Sequence, residues 1–272
     1  MERIKVSNRI KKLANQIEQL PITISRFADI GTDHGYLPFE LLNRGVIKSS
    51  ILCDVNEGPL QNAKQTFKGS KSSTDFRLGS GLEPLNKGEV DAVAIAGMGG
   101  GLIIDLLSCD LEKTKSYPIL LLQPMTEQDR LRAWLLENRF IILWDNFFID
   151  LNKQYEVIMV YNPDCTLEDV GSSTANISLS ASHLRTVFSN INDNQFKNPT
   201  EDLEFGFSIN LAEVENYRSF LVFKKQKYFN VLSKISKEEH GEIYTATQKK
   251  LDTIDQIEKA LDIIKITKDE SS

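Results

Sequence analysis

The sequence predicts an α/β fold: a doubly wound, largely parallel sheet closed by one antiparallel hairpin, with a pair of long helices after it. Three observations carry this expectation. Short apolar strands alternate with amphipathic helices from Phe27 to about Tyr161, the pattern of parallel strands joined by helical crossovers. Two strand-like runs, Phe140 to Ile149 and Tyr155 to Tyr161, flank Leu151-Asn152-Lys153-Gln154 and read as a hairpin. From Leu211 onward the apolar period lengthens, with Val214, Leu221, Tyr228 and Ile235 seven apart, as in helices packed along a seam.

Each element follows in order. Ile10, Leu13, Ala14 and Ile17 recur at helical spacing, with Arg3, Lys5, Arg9, Lys11 and Lys12 around them. That segment predicts a packed helix with a solvated basic side, or a phosphate-contacting patch beside a site. Arg26 to Ile30 is a buried strand and Leu37 to Arg44 a helix. Ser50 to Val55 is the next strand, and Pro59 to Phe67 a helix that tolerates proline in its first turn. Asp75 to Leu78 and Val90 to Ala96 are strands, Leu102 to Leu107 a helix, Ile119 to Gln123 a strand. Glu127 to Asn138 is a helix with Leu131, Trp134 and Leu135 on one face.

The segment 164–206 is rich in Ser, Asn, Thr and Asp and reads as a polar linker or insertion, with a short helix near Leu184 to Phe188. It separates a domain at 1–163 from a helical unit at 207–272. There Leu251, Ile254, Leu261 and Ile264 continue the seam beyond Gly241. The two helices are expected to form an antiparallel coiled coil with its own apolar seam.

The bulk numbers exclude several classes. The 272 residues are 41% hydrophobic and 26% charged, with a net charge of −6 and a pI near 5.3. That is ordinary for a globular protein and wrong for a uniformly basic nucleic-acid binder. No apolar run is long enough for a membrane span, and the first residues lack the apolar core of a secretory leader. Three cysteines and three histidines are scattered without ligand spacing, so neither a metal site nor a disulfide framework is expected. A cytoplasmic location fits. No oligomeric partner is implied.

The chemistry is carried by loops after strands, where open parallel sheets bind ligands. In "ADIGTDHGYLP", Asp29, Gly31, Asp33 and Gly35 follow the first strand. A dinucleotide loop has a glycine where Asp33 stands, because a pyrophosphate must approach the backbone. A carboxylate there repels phosphate and suits a cationic or zwitterionic ligand such as S-adenosylmethionine. Asp54, followed by Val55, ends the second strand, where an acid accepts bonds from ribose hydroxyls. Ser80 and Gly81 lie in "LGSGLEPL", where an adenine would rest. Gly97 and Met98 lie in "AIAGMGGGLI", whose glycines permit close backbone approach. Gln123, at the tip of "ILLLQP", is placed for substrate contact or to start a helix.

In these motifs the chain resembles the bacterial tRNA (adenine-22-N1)-methyltransferase family: "ADIGTDHGYLP", "DVNEGPLQNAK", "AGMGGGLI", "LLQP" with "LRAWL", and "YEVIMV" match in order and spacing. The likeness is strong from Asn8 to about Tyr161 and weaker from Phe205 through the C-terminal helices. It implies a Rossmann-like class I methyltransferase sheet of order 3-2-1-4-5-7-6 and a C-terminal coiled coil that helps hold tRNA. It further implies methyl transfer from S-adenosylmethionine to N1 of adenine 22. Two positions depart from the pattern: Ser80 stands where the family has an acid, and Met125 where it has asparagine.

Methylation at N1 needs no strong base, because that nitrogen already carries a lone pair. It leaves positive charge on the ring, which a nearby carboxylate stabilises. Asp33 is the expected catalytic residue, with His34 and Tyr36 shaping the pocket and Tyr36 stacking on the base. Two other readings stay open: a class I methyltransferase acting on another substrate, and a cofactor-binding adaptor with an interaction coiled coil.

Overall fold

The computed structural model describes residues 4–165 and 195–269. The short helix expected near Leu184 to Phe188 lies outside these residues. Helix α1 (Asn8–Glu18) precedes β1 (Arg26–Ile30), α2 (Tyr36–Asn43), β2 (Ser49–Asp54), α3 (Glu57–Thr66), β3 (Ser73–Leu78) and β4 (Ala92–Met98). Then come α4 (Gly100–Ser108), α5 (Leu111–Thr114), β5 (Ile119–Pro124), α6 (Gln128–Glu137), β6 (Ile141–Asp150) and β7 (Lys153–Tyr161). Two short strands, β8 (Gln195–Lys197) and β9 (Ser208–Asn210), lead to α7 (Val214–Leu232) and α8 (Gly241–Asp269).

The sheet runs β3-β2-β1-β4-β5-β7-β6-β9-β8. Strands β1 to β5 pair in parallel, and β7 enters antiparallel to both β5 and β6. The implied order 3-2-1-4-5-7-6 is therefore present and is extended by two further strands at the β6 edge. Alternation along each strand splits the core in two layers. Leu121 and Ala94 meet Leu13, Ile17, Leu37 and Leu41 on one face, while Leu120, Leu122 and Ile95 meet Ile103, Leu107, Leu131 and Leu135 on the other.

Local chemistry fixes the details. Ser7 caps α1 by accepting the Ile10 N–H, and α1 turns Leu13, Ala14 and Ile17 inward as its period predicts. The indole N–H of Trp144 donates to Gln16 at 2.8 Å, fastening α1 to β6. The β6–β7 turn is tighter than expected: Lys153 and Gln154 already pair with Asp150 and Ile149, leaving only Leu151 and Asn152 in the turn. Both take left-handed backbone angles, φ 47° and 60°, the geometry whose twist matches two-residue hairpins. Helix α5 was not expected; Asp110 caps it from the Lys113 N–H.

Within the predicted polar segment, residues 195–206 include β8 and a 3-10 turn at Leu203–Phe205, with Phe196 and Phe205 buried. Three-residue strands are too short to show a period. The C-terminal helices pack on each other and on the sheet. Their core joins Tyr217, Phe220, Leu221, Ile254, Ile257 and Leu261 to Phe147 of β6 and to Phe196, Phe205 and Ile209. The apolar seam is thus not closed by the two helices alone. Phe147 meets Phe220 with ring centroids 4.2 Å apart, and Ile235 falls beyond the last residue of α7.

A buried charge network ties these parts together. Arg132 of α6, fully buried, donates to Asp145 at 2.8 Å, to Glu156 at 2.9 Å and to the Leu203 carbonyl at 2.9 Å. Asp145 also accepts the N–H groups of Phe207 and Ser208. Lys224 of α7 reaches Glu204 at 3.0 Å, and Lys250 of α8 reaches Asp202 at 2.6 Å. Burial opposes ionisation of Glu204, but Lys224, Tyr228 and Lys250 outweigh it and hold the carboxyl down at about 2.

Candidate active site

The ends of β1, β2 and β4 open into a cleft of about 470 Å³. Asp29, Gly31, Asp33, His34, Tyr36, Asp54, Gly97 and Met98, all expected from the sequence, line it together with Ser7, Arg9 and Thr32. Strand β1 stops at Ile30, and the turn that follows needs left-handed backbone at Gly31, Asp33 and Gly35. Gly31 takes φ 71°, which favours glycine, and a Cβ there would sit 2.2 Å from the Met98 methyl and force that side chain aside.

Gly35, Val55, Ser80 and Gly81, also expected, are not among the residues that line this cleft. Gly35 begins α2 and packs against Leu52; a Cβ there would come within 2.6 Å of it. Val55, next to Asp54, is 64% exposed. Ser80 and Gly81 lie in the loop after β3, which the Gly79 N–H ties to the Asp54 carbonyl at 3.0 Å. Gly81 itself backs onto Leu106. Val55, just after β2, and Leu78, the last residue of β3, leave large apolar surface in water.

The electrostatics are uneven. Asp29 is buried and accepts the Thr32 hydroxyl at 2.7 Å. Burial pushes its carboxyl up to about 6, although the Thr32 bond and the charge of Arg9 pull it down. Asp54 accepts the Asn56 N–H at 2.9 Å with one oxygen, leaving the other free to face the cleft. Asp33 is 70% exposed and lies 3.8 Å from His34 Nε2. His34 in turn stacks on Tyr36 at 5.1 Å with the rings within 5° of parallel.

Sequence reasoning grouped Arg9 with a basic segment but did not separate it from its neighbours. Of the described basic residues in that segment, Arg9 is the one that lines the cleft, while Lys12 lies over Phe148. Gln123 is buried, with its amide N–H near Met125 Sδ at 3.1 Å and its carbonyl oxygen without a partner. A larger hollow of about 740 Å³ between α6, the 200–203 loop and α8 mixes acids with Arg130 and Lys249 and gathers none of the expected site residues. Among the described residues no cluster of His, Cys, Asp or Glu could hold a metal ion, and no helix is long and apolar enough to cross a membrane.

A parallel doubly wound sheet with β7 inserted antiparallel, and an acid-lined cleft at its carboxyl edge, is a methyltransferase-type Rossmann-like fold. The family model described as a methyltransferase domain matches residues 6–158, and the chain belongs to that family. It is 34% identical over 161 residues to the tRNA (adenine(22)-N(1))-methyltransferase of Bacillus subtilis (strain 168), a match covering 58% of this chain and 66% of that protein. The aligned part thus spans just under two thirds of the curated relative. A solved Streptococcus pneumoniae protein, described as a candidate tRNA (m1A22) methyltransferase in complex with S-adenosyl-L-methionine, superposes with a TM-score of 0.61 at 27% identity, covering 93% of this chain and 99% of that one. A Streptococcus agalactiae protein of the NADB-Rossmann superfamily does so with a TM-score of 0.65 at 27% identity, covering 94% and 98%.

Proposed function

We propose that this chain methylates N1 of adenine 22 in tRNA, using S-adenosylmethionine. The observation that carries the reading is the cleft itself: three carboxylates, Asp29, Asp33 and Asp54, converge where a phosphate-binding protein would offer bare backbone. That donor set fits a ligand with cationic groups and ribose hydroxyls. The names of the Bacillus subtilis and Streptococcus pneumoniae relatives support the same substrate and cofactor.

When bound, the cofactor supplies an electrophilic methyl group on a sulfonium. The residues of the chain do the rest. Asp54 accepts the ribose hydroxyls with its free oxygen. Val55 and Leu78 offer apolar surface to the adenine of the cofactor, beside Ser80 and Gly81. Asp29 faces the ammonium of the amino-acid end. Tyr36, already stacked on His34, extends a ring platform for a base taken out of its stack, a step costing a few kcal/mol. Asp33 then opposes the positive charge that methylation leaves on the ring. The C-terminal helices act as an antiparallel coiled-coil arm against the tRNA, with exposed Phe229 and Ile243 and the exposed lysines Lys227, Lys234 and Lys237 at its far part.

Treating bulk tRNA with the purified protein and labelled cofactor, then mapping modified adenines, tests the reading. Methyl groups at N1 of adenine 22 are expected. Methylation at another position, or none, refutes it.

Two expectations concern the cofactor. Asp54→Ala should weaken binding of S-adenosylhomocysteine by about ten- to a hundredfold, since each bond to a charged acceptor is worth about 1.5–3 kcal/mol. Unchanged affinity in calorimetric titration removes Asp54 from the site. Asp29 adds a pH dependence. Its folded-state value near 6 is above that of an unfolded chain, so its contribution to stability is present in acid and is lost as pH rises through about 6. A cationic ligand reverses the preference by favouring the carboxylate. Affinity for S-adenosylhomocysteine should therefore climb roughly tenfold between pH 5 and 7 and flatten above. A flat profile over that interval shows that Asp29 does not face the ammonium.

A further inference from the structure

The β6–β7 hairpin turns on a residue that suits neither its backbone nor its surroundings. Leu151 is 90% exposed and takes φ 47°. No other large apolar side chain among the described residues stands so far in water. A two-residue turn with left-handed backbone favours asparagine or glycine there, and a bulky side chain is strained in it. The place of the turn gives this exposure a use. Strand β7 runs antiparallel to both β5 and β6, so β6 points the same way as β5. The turn therefore falls at the carboxyl edge of the sheet, where the cleft opens. Helix α1 holds it there. Asn8 Nδ2 donates to Asp150 at 3.4 Å, Arg9 lies 5.7 Å from the Tyr155 ring, and Lys12 lies 5.1 Å from that of Phe148. Ser7 and Arg9, on either side of Asn8, line the cleft. Phe148 and Tyr155 stack across the hairpin at 5.3 Å, which stiffens the base of the turn.

Resting on the tRNA reading above, we propose that Leu151 is a wedge: it enters the base stack of the tRNA beside the target adenine and holds open the gap which that adenine leaves. A base drawn out of a stack exposes the faces of its neighbours, and an apolar side chain in the gap covers them again. The two-residue turn is already fixed by its backbone pairing, so little freedom is lost on insertion. Lys153, exposed beside the tip, meets the flanking phosphates, while the acid of the tip, Asp150, is turned to Asn8. Tyr36 and Asp33 act on the extruded base; Leu151 acts on the stack it has left.

The test uses Leu151→Asn in the full chain, because asparagine suits left-handed backbone and the turn should fold at least as well. Single-turnover methylation of tRNA at saturating cofactor should fall by about ten- to a hundredfold, the worth of one stacking contact. On tRNA with a mismatch opposite adenine 22, where the base is already loose, the loss should shrink to within about threefold. Leu151→Met, which restores apolar reach, should bring the rate on ordinary tRNA back to within about threefold of the parent. An unchanged rate in Leu151→Asn overturns the assignment. So does an equal loss on paired and mismatched tRNA, which makes the tip a general contact, and so does lost self-association with methylation intact, which puts a second copy of the chain on the tip. If the wild-type protein leaves adenine 22 unmodified, the tRNA reading falls and the wedge with it. If the wild-type protein methylates that base and Leu151→Asn does so equally well, the wedge alone is refuted.

Discussion

Asp33→Asn is expected to slow methylation of tRNA by about a hundredfold or more at saturating tRNA and cofactor, a loss of about 2.7 kcal/mol of transition-state stabilisation. The structure makes this substitution a clean removal of charge. Asp33 has φ 49°, left-handed backbone that asparagine adopts as readily as aspartate. It caps no helix: the N-terminal residue of α2 is flanked by Gly35, and no side chain bonds there. The His34 Nε2 lies 3.8 Å away, and Asp33 itself is mostly in water. A carboxylate so exposed gains strength only when a base covers it and the local dielectric falls. Single-turnover kinetics isolates the chemical step. A rate within about threefold of the parent would leave Asp33 without a part in it.

Arg132→Ala should cost about 3–5 kcal/mol of stability, the range for breaking a buried pair from one side. Asp145 and Glu156 would be left buried together, with Lys224 4.0 Å from Glu156 as the nearest cation. Even with Arg132 present, burial pushes the Glu156 carboxyl above its ordinary range, against the pull of Arg132 and Lys224. Without the guanidinium the pull that opposes burial at Glu156 is weakened, and its carboxyl is favoured neutral in the fold. The variant's stability is then best retained in acid, below the ordinary carboxylate range, and is lost as the pH rises. Urea unfolding at several pH values measures both effects. A loss below about 1 kcal/mol at neutral pH shows that the network is dispensable.

The parallel sheet was legible because its strands are buried on both faces and carry nearly unbroken apolar runs such as "VDAVAIA" and "ILLLQ". The site was legible for a related reason. Ligand loops follow strands, so finding the ends of β1, β2 and β4 located Asp29, Asp33, Asp54 and Gly97. Arg9 was harder. Its helix was clear from period, but which side of a basic helix faces a cleft depends on packing across the sheet. The Arg132 network left no local trace, because its partners lie 13, 24 and 71 residues away in the chain. Strands β8 and β9 escaped for want of length. The heptad spacing found the C-terminal helices but misjudged what fills their seam, since heptads report apolar faces and not their partners. Leu221 sits on the seam, while Tyr217 and Phe220, off the heptad, are buried through contact with Phe147.

The late arrival of β9 has a consequence for synthesis. Strand β6 is long, apolar and the last of its group in the sheet until β9 pairs with it at Asp145 and α7 covers Phe147. A chain emerging from the ribosome therefore carries β6 as an open edge while more than fifty further residues are made, with unpaired backbone beside Trp144, Phe147 and Phe148. Nascent chains stalled in that interval are the species prone to stick to one another, and a holding chaperone would find its surface there.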